Sequence, residues 1–280
     1  MDLTPRDAGW KYLSFRVVTL DADRYDQVLV DQETAVVPLS GSATLRLGSD
    51  SHHVSRSSVF EELAPVGYAP PGTKISIETT GRFTFAIGSA PAEGRYPARL
   101  IEPSLIRSEL RGGGAAYRQV HHTLAPPVEA ERLILYEVYV PRGTWAGWGP
   151  HCHDGHDGSP YLEETYYFRL DRPEGYWMHR NWRTSDDPEL DFEDLMSGGD
   201  GDCALVPRGY HTTVACPGSN MYFLNYLAGD LVNEQRATPP CYLSEHRWIE
   251  QEWENGIDGK WTLPVIQPAV DPSDKATKES

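Results

Sequence analysis

Short β-favouring segments separated by turn residues run along most of this chain, and this pattern restricts the fold more than any other feature. The segments are rich in Val, Ile, Leu, Thr and Phe, and clusters of Gly, Pro, Ser and Asp separate them. Such spacing is typical of a β-sandwich or β-barrel, so it predicts an all-β fold. In the first half we expect a turn at residues 40–42 and strands at Gln27–Val30, Glu33–Leu39, Ala43–Leu47, Lys74–Thr79 and Phe83–Ile87.

A stretch rich in Pro and Gly divides the strands into two series. It runs from Ser89 to Gly94 and continues to residues 111–114, and it predicts a flexible connector. Because 280 residues suffice for two domains, we expect one β-barrel at residues 1–115 and another at residues 116–270. A polar, disordered tail is expected at residues 271–280. The second series of strands is expected at Arg132–Val140, His151–His153, Glu164–Leu170, Gly175–Asn181, Cys203–Val206 and Met221–Tyr226.

Charge and composition exclude several classes of function. The net charge of −16 disfavours binding to nucleic acid, and an anionic small substrate would need an arginine or lysine beside it. No apolar run approaches the length of a membrane span. The four cysteines include no CxxC pair, and the N-terminus does not resemble a signal peptide. These features predict a cytoplasmic protein that binds neither membrane nor nucleic acid.

Three histidines and one glutamate are spaced as a metal site would require. His151 and His153 alternate on a predicted strand, so their side chains share one face. A hairpin across residues 155–160 would bring Glu164 opposite them, and His211 follows a tight turn at residues 207–209. Three imidazoles and one carboxylate suit a divalent first-row ion and leave positions for substrate or water. We therefore predict one divalent ion per chain, with Zn or Mn ahead of Fe or Ni.

The order of these residues resembles the two signature motifs of cupins, HxH…E and PxG…H. More specifically, the chain resembles the 5-deoxy-glucuronate isomerase family, a group of two-cupin enzymes in myo-inositol breakdown. The resemblance runs in order through nearly the whole chain, up to about residue 249. The stretches that carry it include Arg56–Glu61, Pro70–Thr73, Arg118–His121, Pro150–Asp154, Tyr161–Tyr167, Val206–His211 and Met221–Asn225.

This resemblance implies two jelly-roll barrels and an aldose–ketose isomerase that acts on a small anionic sugar acid. It makes His151, His153, Glu164 and His211 the metal ligands. The spacing departs from the general cupin motif, because one residue rather than two separates Gly209 from His211. The first half has His52 and His53 without a matching carboxylate or turn histidine, so we expect it to be metal-free.

Two further residues are predicted to take part in catalysis. Tyr166 lies two residues from Glu164 and shares its face on a regular strand. Arg180 is the predicted partner of the substrate carboxylate, because arginine binds carboxylates with two parallel hydrogen bonds. The catalytic base is not identified, and the role of His156 stays open. The segment 186–202 holds eight acidic residues and no basic one, and it is interpreted as a solvated loop.

Two alternatives to an isomerase stay open at this point. A cupin dioxygenase also uses three histidines and one glutamate, in that case to hold iron. A sugar-binding cupin without turnover would keep the fold and lose the chemistry. In each case we expect a homo-oligomer.

Overall fold

The computed structural model describes residues 1–254, so the predicted tail at residues 271–280 lies outside the described part. The first half forms a nine-stranded antiparallel sheet. Its strands are β1 (Asp2–Leu3), β2 (Ser14–Asp21), β3 (Arg24–Val28), β4 (Gln32–Leu47), β5 (Asp50–Arg56), β6 (Val66–Ala69), β7 (Lys74–Glu78), β8 (Arg82–Pro91) and β9 (Arg99–Ile101).

The second half forms two further antiparallel sheets. The six-stranded sheet has the order β10-β11-β12-β19-β14-β17, and the five-stranded sheet has the order β16-β15-β18-β13-β20. Their strands are β10 (Arg107–Arg111), β11 (Arg118–His122), β12 (Ile134–Val140), β13 (Trp145–Cys152), β14 (Leu162–Leu170), β15 (Trp177–Arg183), β16 (Phe192–Gly198), β17 (Cys203–Val206), β18 (Tyr210–Ala215), β19 (Met221–Gly229) and β20 (Cys241–Tyr242).

Helices are short in the described residues. They are α1 (Pro5–Ala8), α2 (Trp248–Glu254) and the 3₁₀ turns Pro103–Leu105, Gly114–Ala116, Asn233–Ala237 and Ser244–His246. None of them is long and apolar enough to cross a membrane. The predicted all-β class is therefore confirmed.

The turn predicted at residues 40–42 is wrong, because β4 continues through it. Its pairing with β8 shifts register between Pro38 and Ser40, which marks a β-bulge. Gly41 has a φ of +90°, and a Cβ there would approach the carbonyl oxygen of Arg82 to 2.1 Å. A residue without a side chain is therefore required for the bulge. The bulge bends one long strand where the sequence suggested two short ones.

The predicted connector is also wrong at both ends. Residues 89–91 lie inside β8, and Arg107–Arg111 forms β10. β10 pairs along its whole length with β11, so it belongs to the sheet of the second half. The division predicted at residue 115 stays a prediction, but this sheet already begins at Arg107.

The acidic segment 186–202 is not a loop throughout, which corrects the prediction. Phe192–Gly198 forms β16, the edge strand of the five-stranded sheet, and pairs with β15. Most of its side chains are exposed, including Glu193 and Asp194. Charged side chains on an edge strand discourage pairing with a further strand from another molecule. Hydrogen bonding to β15 therefore decides its conformation, and its acidic composition reflects exposure.

Buried carboxylates join the two halves. Glu163, on β14, accepts hydrogen bonds from the backbone N–H groups of residues 11, 12 and 13 at 2.6–2.9 Å. Glu33, on β4, accepts from the N–H groups of residues 131, 132 and 133 at 2.5–2.9 Å. Each half thus holds a backbone segment of the other through one carboxylate. Glu163 is used in this contact, on the opposite face of β14 from Glu164.

An ion pair with no exposed surface also joins the halves. Arg56 at the end of β5 donates from Nη1 to Glu137 Oε2 on β12 at 2.6 Å, and both side chains are 0% exposed. Nη2 of Arg56 donates to the hydroxyl of Tyr139 at 2.9 Å, and Tyr222 donates its hydroxyl to Glu137 at 2.8 Å. Burial alone would lower the pKa of Arg56, but Glu137, together with Tyr222 and Tyr139, raises it above its ordinary value. Arg56 therefore keeps its charge in the folded protein.

Candidate metal centre

Three strands of the second half bring the predicted ligands together. β13 ends with His151 and Cys152, and His153 follows it directly. On β18, His211 lies directly across from His151 in the strand register. The turn before His211 depends on Gly209, whose φ is +77° and whose Cβ would lie 2.6 Å from the carbonyl oxygen of Trp182. A tight glycine turn therefore sets the position of His211.

The four predicted residues meet in one buried cluster. One ring nitrogen each of His151, His153 and His211 lies within 4.8 Å of the others. Oε2 of Glu164 lies 2.9 Å from Nε2 of His153 and 3.3 Å from Nε2 of His211. The three imidazoles therefore surround one point, and the carboxylate of Glu164 lies against two of them.

The orientation of the donor atoms fits a cation. Nδ1 of His153 lies 3.0 Å from the carbonyl oxygen of Leu162 and donates to it, which leaves Nε2 directed at the cluster. Both ring nitrogens of His211 are buried without a hydrogen-bond partner among the described residues. Unpaired polar atoms in a protein interior are rare and costly. A bound ion would satisfy Nε2 of both histidines.

The protonation states of His151, His211 and Glu164 also suit a divalent ion. His153 differs from them, because its contact with Glu164 outweighs the effect of burial and raises its pKa. Burial lowers the pKa of His151 and that of His211 below the ordinary value, so both imidazoles are neutral at pH 7. Burial alone would raise the pKa of Glu164, but the adjacent imidazoles of His153 and His211 outweigh it and hold that pKa well below its usual range. Neutral imidazoles and an ionised carboxylate are the forms that bind metals.

Asp154 holds the two motifs in position. It accepts hydrogen bonds from Nη2 of Arg183 at 2.8 Å and from the N–H of Gly209 at 2.6 Å. The residue after His153 is thus tied to the turn before His211. His156, whose role was open, is half exposed and lies outside the cluster, with Nδ1 3.7 Å from Oδ1 of Asp154.

Replacing Asp154 by asparagine is expected to lower metal affinity by about 10- to 100-fold, because residues that orient ligands have effects of this size. Titration of the metal-free protein with Zn²⁺ or Mn²⁺ measures the change. His156→Ala is the matched control and should bind as the parent does. Equal affinities of Asp154→Asn and the parent would contradict this role.

Acid should weaken the hydrogen bonds that Asp154 accepts from Gly209 and Arg183. Burial raises the pKa of Asp154, but the N–H of Gly209 and the guanidinium of Arg183 lower it more, to below 3.8. Its stabilising contribution is therefore present above pH about 4 and is lost as the pH falls through the folded-state pKa. The difference in unfolding free energy between the parent and Asp154→Asn should shrink on acidification, as urea denaturation at two pH values would show.

The cluster opens into a cavity of about 480 Å³. Tyr166 lines this cavity and is buried, with its ring centroid 5.9 Å from that of His211. Arg180 does not line it. The side chain of Arg180 pairs with Glu193 at 3.0 Å and lies 4.1 Å above the ring of Trp182.

The predicted role of Arg180 is at odds with this placement. On β15, His179 and Asn181 are buried, so the residue between them points to the opposite face of the sheet. Nε2 of His179 donates a hydrogen bond to Oδ1 of Asn181 at 2.8 Å, and His179 does not line the cavity. Burial lowers its pKa to about 3. It is therefore a neutral strand histidine.

Sequence reasoning missed four basic or titratable residues of the cavity wall. They lie on β10 and β11 and are Arg107, Arg111, Arg118 and His122. Alternation was the available signal, because residues 107 and 111 share one face of a strand, as do residues 118 and 122. The signal was overlooked because residues 89–114 were interpreted as a connector.

Comparison with known proteins agrees with the resemblance seen in the motifs. The model of the KduI/IolB family matches residues 1–249. A 5-deoxy-glucuronate isomerase of Geobacillus thermodenitrificans is 34% identical over 253 residues, which cover 88% of this chain and 89% of that protein. The corresponding protein of Geobacillus kaustophilus is 35% identical, with the same coverage of both chains.

Solved structures extend the comparison to the fold. An IolB-like protein from Salmonella typhimurium LT2 superposes with a TM-score of 0.82 at 31% identity, covering 89% of this chain and 94% of the other. Oxalate decarboxylase from Lactobacillus farciminis superposes with a TM-score of 0.60 at 10% identity, covering 94% of this chain and 88% of the other. This likeness concerns the fold alone. The predicted fold of two cupin-like barrels is confirmed. From the family model and the identity to these relatives, we conclude that this chain belongs to the KduI/IolB family.

Proposed function

We propose that this protein is a metal-dependent aldose–ketose isomerase that converts 5-deoxy-D-glucuronate to 2-deoxy-5-keto-D-gluconate in myo-inositol catabolism. The observation that carries the proposal is the convergence of three imidazoles and one carboxylate on a cavity wall in a chain of the KduI/IolB family. His151, His153, Glu164 and His211 would hold one divalent ion. Their nitrogen and oxygen donors favour Zn or Mn, with Fe or Ni as alternatives.

The reaction moves a proton from C2 to C1 of the sugar acid through an enediol. Removal of the C2 proton leaves negative charge on the carbonyl oxygen, and this is the difficult step. When bound, a divalent ion supplies Lewis-acid stabilisation of that charge. His153, Glu164 and His211 are buried, and His151, His153 and Glu164 line the cavity, so the cluster lies at the boundary between the protein interior and the cavity.

Tyr166 is proposed to donate a hydrogen bond to a substrate oxygen. Burial, followed by the charge of Glu164, raises the pKa of Tyr166 well above its ordinary value. In the metal-free protein the hydroxyl is therefore protonated and available as a hydrogen-bond donor. A fixed donor aimed at a developing oxyanion stabilises the transition state more than the ground state.

Replacing Tyr166 by phenylalanine is expected to lower kcat by about 10²- to 10³-fold, which is the typical effect of losing one such donor. KM should change much less, because the hydroxyl acts mainly in the transition state. Steady-state kinetics with 5-deoxy-glucuronate measure both constants. Tyr176→Phe, at an exposed position, is the control. An unchanged kcat in the Tyr166→Phe protein would rule out this role.

A direct assay tests the proposed function. The purified protein is stripped of metal with a chelator, reloaded separately with Zn²⁺, Mn²⁺, Fe²⁺ or Ni²⁺, and mixed with 5-deoxy-glucuronate. We expect the keto acid to appear with at least one ion and oxygen not to be consumed. Oxygen uptake with iron and no keto acid would instead support a dioxygenase, and substrate binding without turnover would support a sugar-binding protein.

Assembly and location stay predictions. A homo-oligomer is proposed, and light scattering of the purified protein would test it. A cytoplasmic location and the absence of contacts with nucleic acid likewise rest on composition and charge.

A further inference from the structure

Arg118 is a buried cation that lacks a buried anion. Its side chain is 7% exposed and lines the cavity of the metal centre. Nη1 donates to the carbonyl oxygen of Ala116 at 3.0 Å, and Nη2 donates to that of Trp148 at 3.3 Å. Among the described side chains, Arg118 forms no ion pair with a carboxylate. Isolated buried charges are costly, and arginine in an interior is normally paired.

The neighbouring arginines differ from Arg118 in this respect. Arg107 pairs with Glu109 at 3.1 Å, and Arg111 pairs with the same carboxylate. Arg111 lies directly across from Arg118 in the pairing of β10 with β11. Like charges in opposed positions of a sheet destabilise it unless an anion lies nearby. Burial, and then the charge of Arg111, lower the pKa of Arg118 to about 10, so it remains protonated at pH 7.

The other carboxylates of the cavity wall do not neutralise Arg118. Glu164 belongs to the histidine cluster, and the side chain of Glu234 is 80% exposed. The guanidinium has five N–H groups, and its two recorded hydrogen bonds use two of them. Three N–H groups are therefore available to a ligand, enough for the two parallel hydrogen bonds that a carboxylate accepts.

The position of Arg118 also suits a substrate that reaches the metal centre with its other end. Its contact at Trp148 lies on β13, three residues before His151, and Arg118 and His151 line the same cavity. In a hexuronic acid the carboxylate is at the end of the carbon chain opposite to the aldehyde. We propose that Arg118, rather than Arg180, binds the carboxylate of the sugar-acid substrate while C1 and C2 lie at the histidine cluster. This inference rests on the proposed isomerase function.

The experiment compares two substrates in three proteins. The substrates are 5-deoxy-glucuronate and the analogue with a hydroxymethyl group in place of the carboxylate. The proteins are the parent, Arg118→Gln and the matched control Arg180→Gln. Arg118→Gln should lower kcat/KM for the acid about 10²-fold, mainly through KM, because the carboxylate is remote from the reacting carbons. For the uncharged analogue, Arg118→Gln should lower kcat/KM by less than about threefold. Arg180→Gln should match the parent with both substrates.

Other outcomes separate the possible errors. Equal losses for the two substrates in Arg118→Gln would show a purely structural role and overturn the assignment. A parent enzyme that does not prefer the acid would overturn it as well. Turnover of neither substrate by the parent with any of the four metals would instead overturn the proposed function itself. Should Arg118→Gln fail to fold, Arg118→Lys is the second variant. Lysine keeps the charge but lacks the planar guanidinium that makes two parallel hydrogen bonds, so a selective loss of kcat/KM for the acid is again expected.

Discussion

Replacing His211 by alanine is expected to remove the bound metal and to lower isomerase activity by at least about 10³-fold, because a lost Lewis acid costs several kcal/mol of transition-state stabilisation. His211 is fully buried, and its ring is packed between those of His151 and His153, with centroid distances of 4.4 and 5.0 Å. No other described side chain can take its place at that point. Elemental analysis should fall from one ion per chain to nearly none.

Two controls separate loss of metal from loss of fold. His53→Ala, at an exposed position of the first half, should keep both metal and activity. Circular dichroism of His211→Ala should match that of the metal-free parent, since the ring forms no hydrogen bond among the described residues. Retention of one ion per chain and of parental activity would show that His211 is not a ligand. Glu164→Gln provides an independent second test of the same site.

Replacing Arg56 by methionine is expected to destabilise the protein by about 3–5 kcal/mol, because it leaves Glu137 as an unpaired charge in the interior. Neither side chain of this pair has exposed surface. Tyr139 and Thr123 also contact the pair, and Tyr222 donates to Glu137, but neutral hydroxyls cannot replace a cation. The pair also connects β5 with β12, so we expect the contact between the two halves to weaken. Urea denaturation measures the loss.

A double variant tests the physical reason. Arg56→Met combined with Glu137→Gln removes both charges, so it should recover a large part of the lost stability. Arg16→Met breaks an exposed ion pair with Asp2 and should change stability much less, because water screens that pair. A single variant as stable as the parent would contradict the role given to the buried charge.

The two-residue period of a strand was sufficient to predict which neighbouring side chains share a face. His151 and His153 alternate on one strand, and Tyr166 lies two residues from Glu164 on another. These relations follow from the two-residue period of a strand, whichever strands lie beside it. The same rule could not show which face of β15 is turned inward, so Arg180 was predicted in the cavity although His179 occupies the inner face.

Pairing between distant strands explains the remaining differences. β10 looked like part of a connector because its residues are mostly polar, and only its hydrogen bonds to β11 make it a strand. β16 is a strand because β15 pairs with it, despite its acidic residues. At Gly41 the sequence suggests a turn, but β4 continues through this residue in pairing with β8, and the register shifts just before it, between Pro38 and Ser40.

By itself, the sequence determined the all-β class, the family and the clustering of His151, His153 and His211, because strand alternation, turn chemistry and motif order can be read from the chain alone. Only the tertiary structure decided which arginine lies beside that centre. Arg118 and Arg180 are chemically identical, and their difference arises from which strands pair and which faces those strands bury. Pairing of β10 with β11 leaves Arg118 buried in the cavity wall, whereas Arg180 lies outside with Glu193.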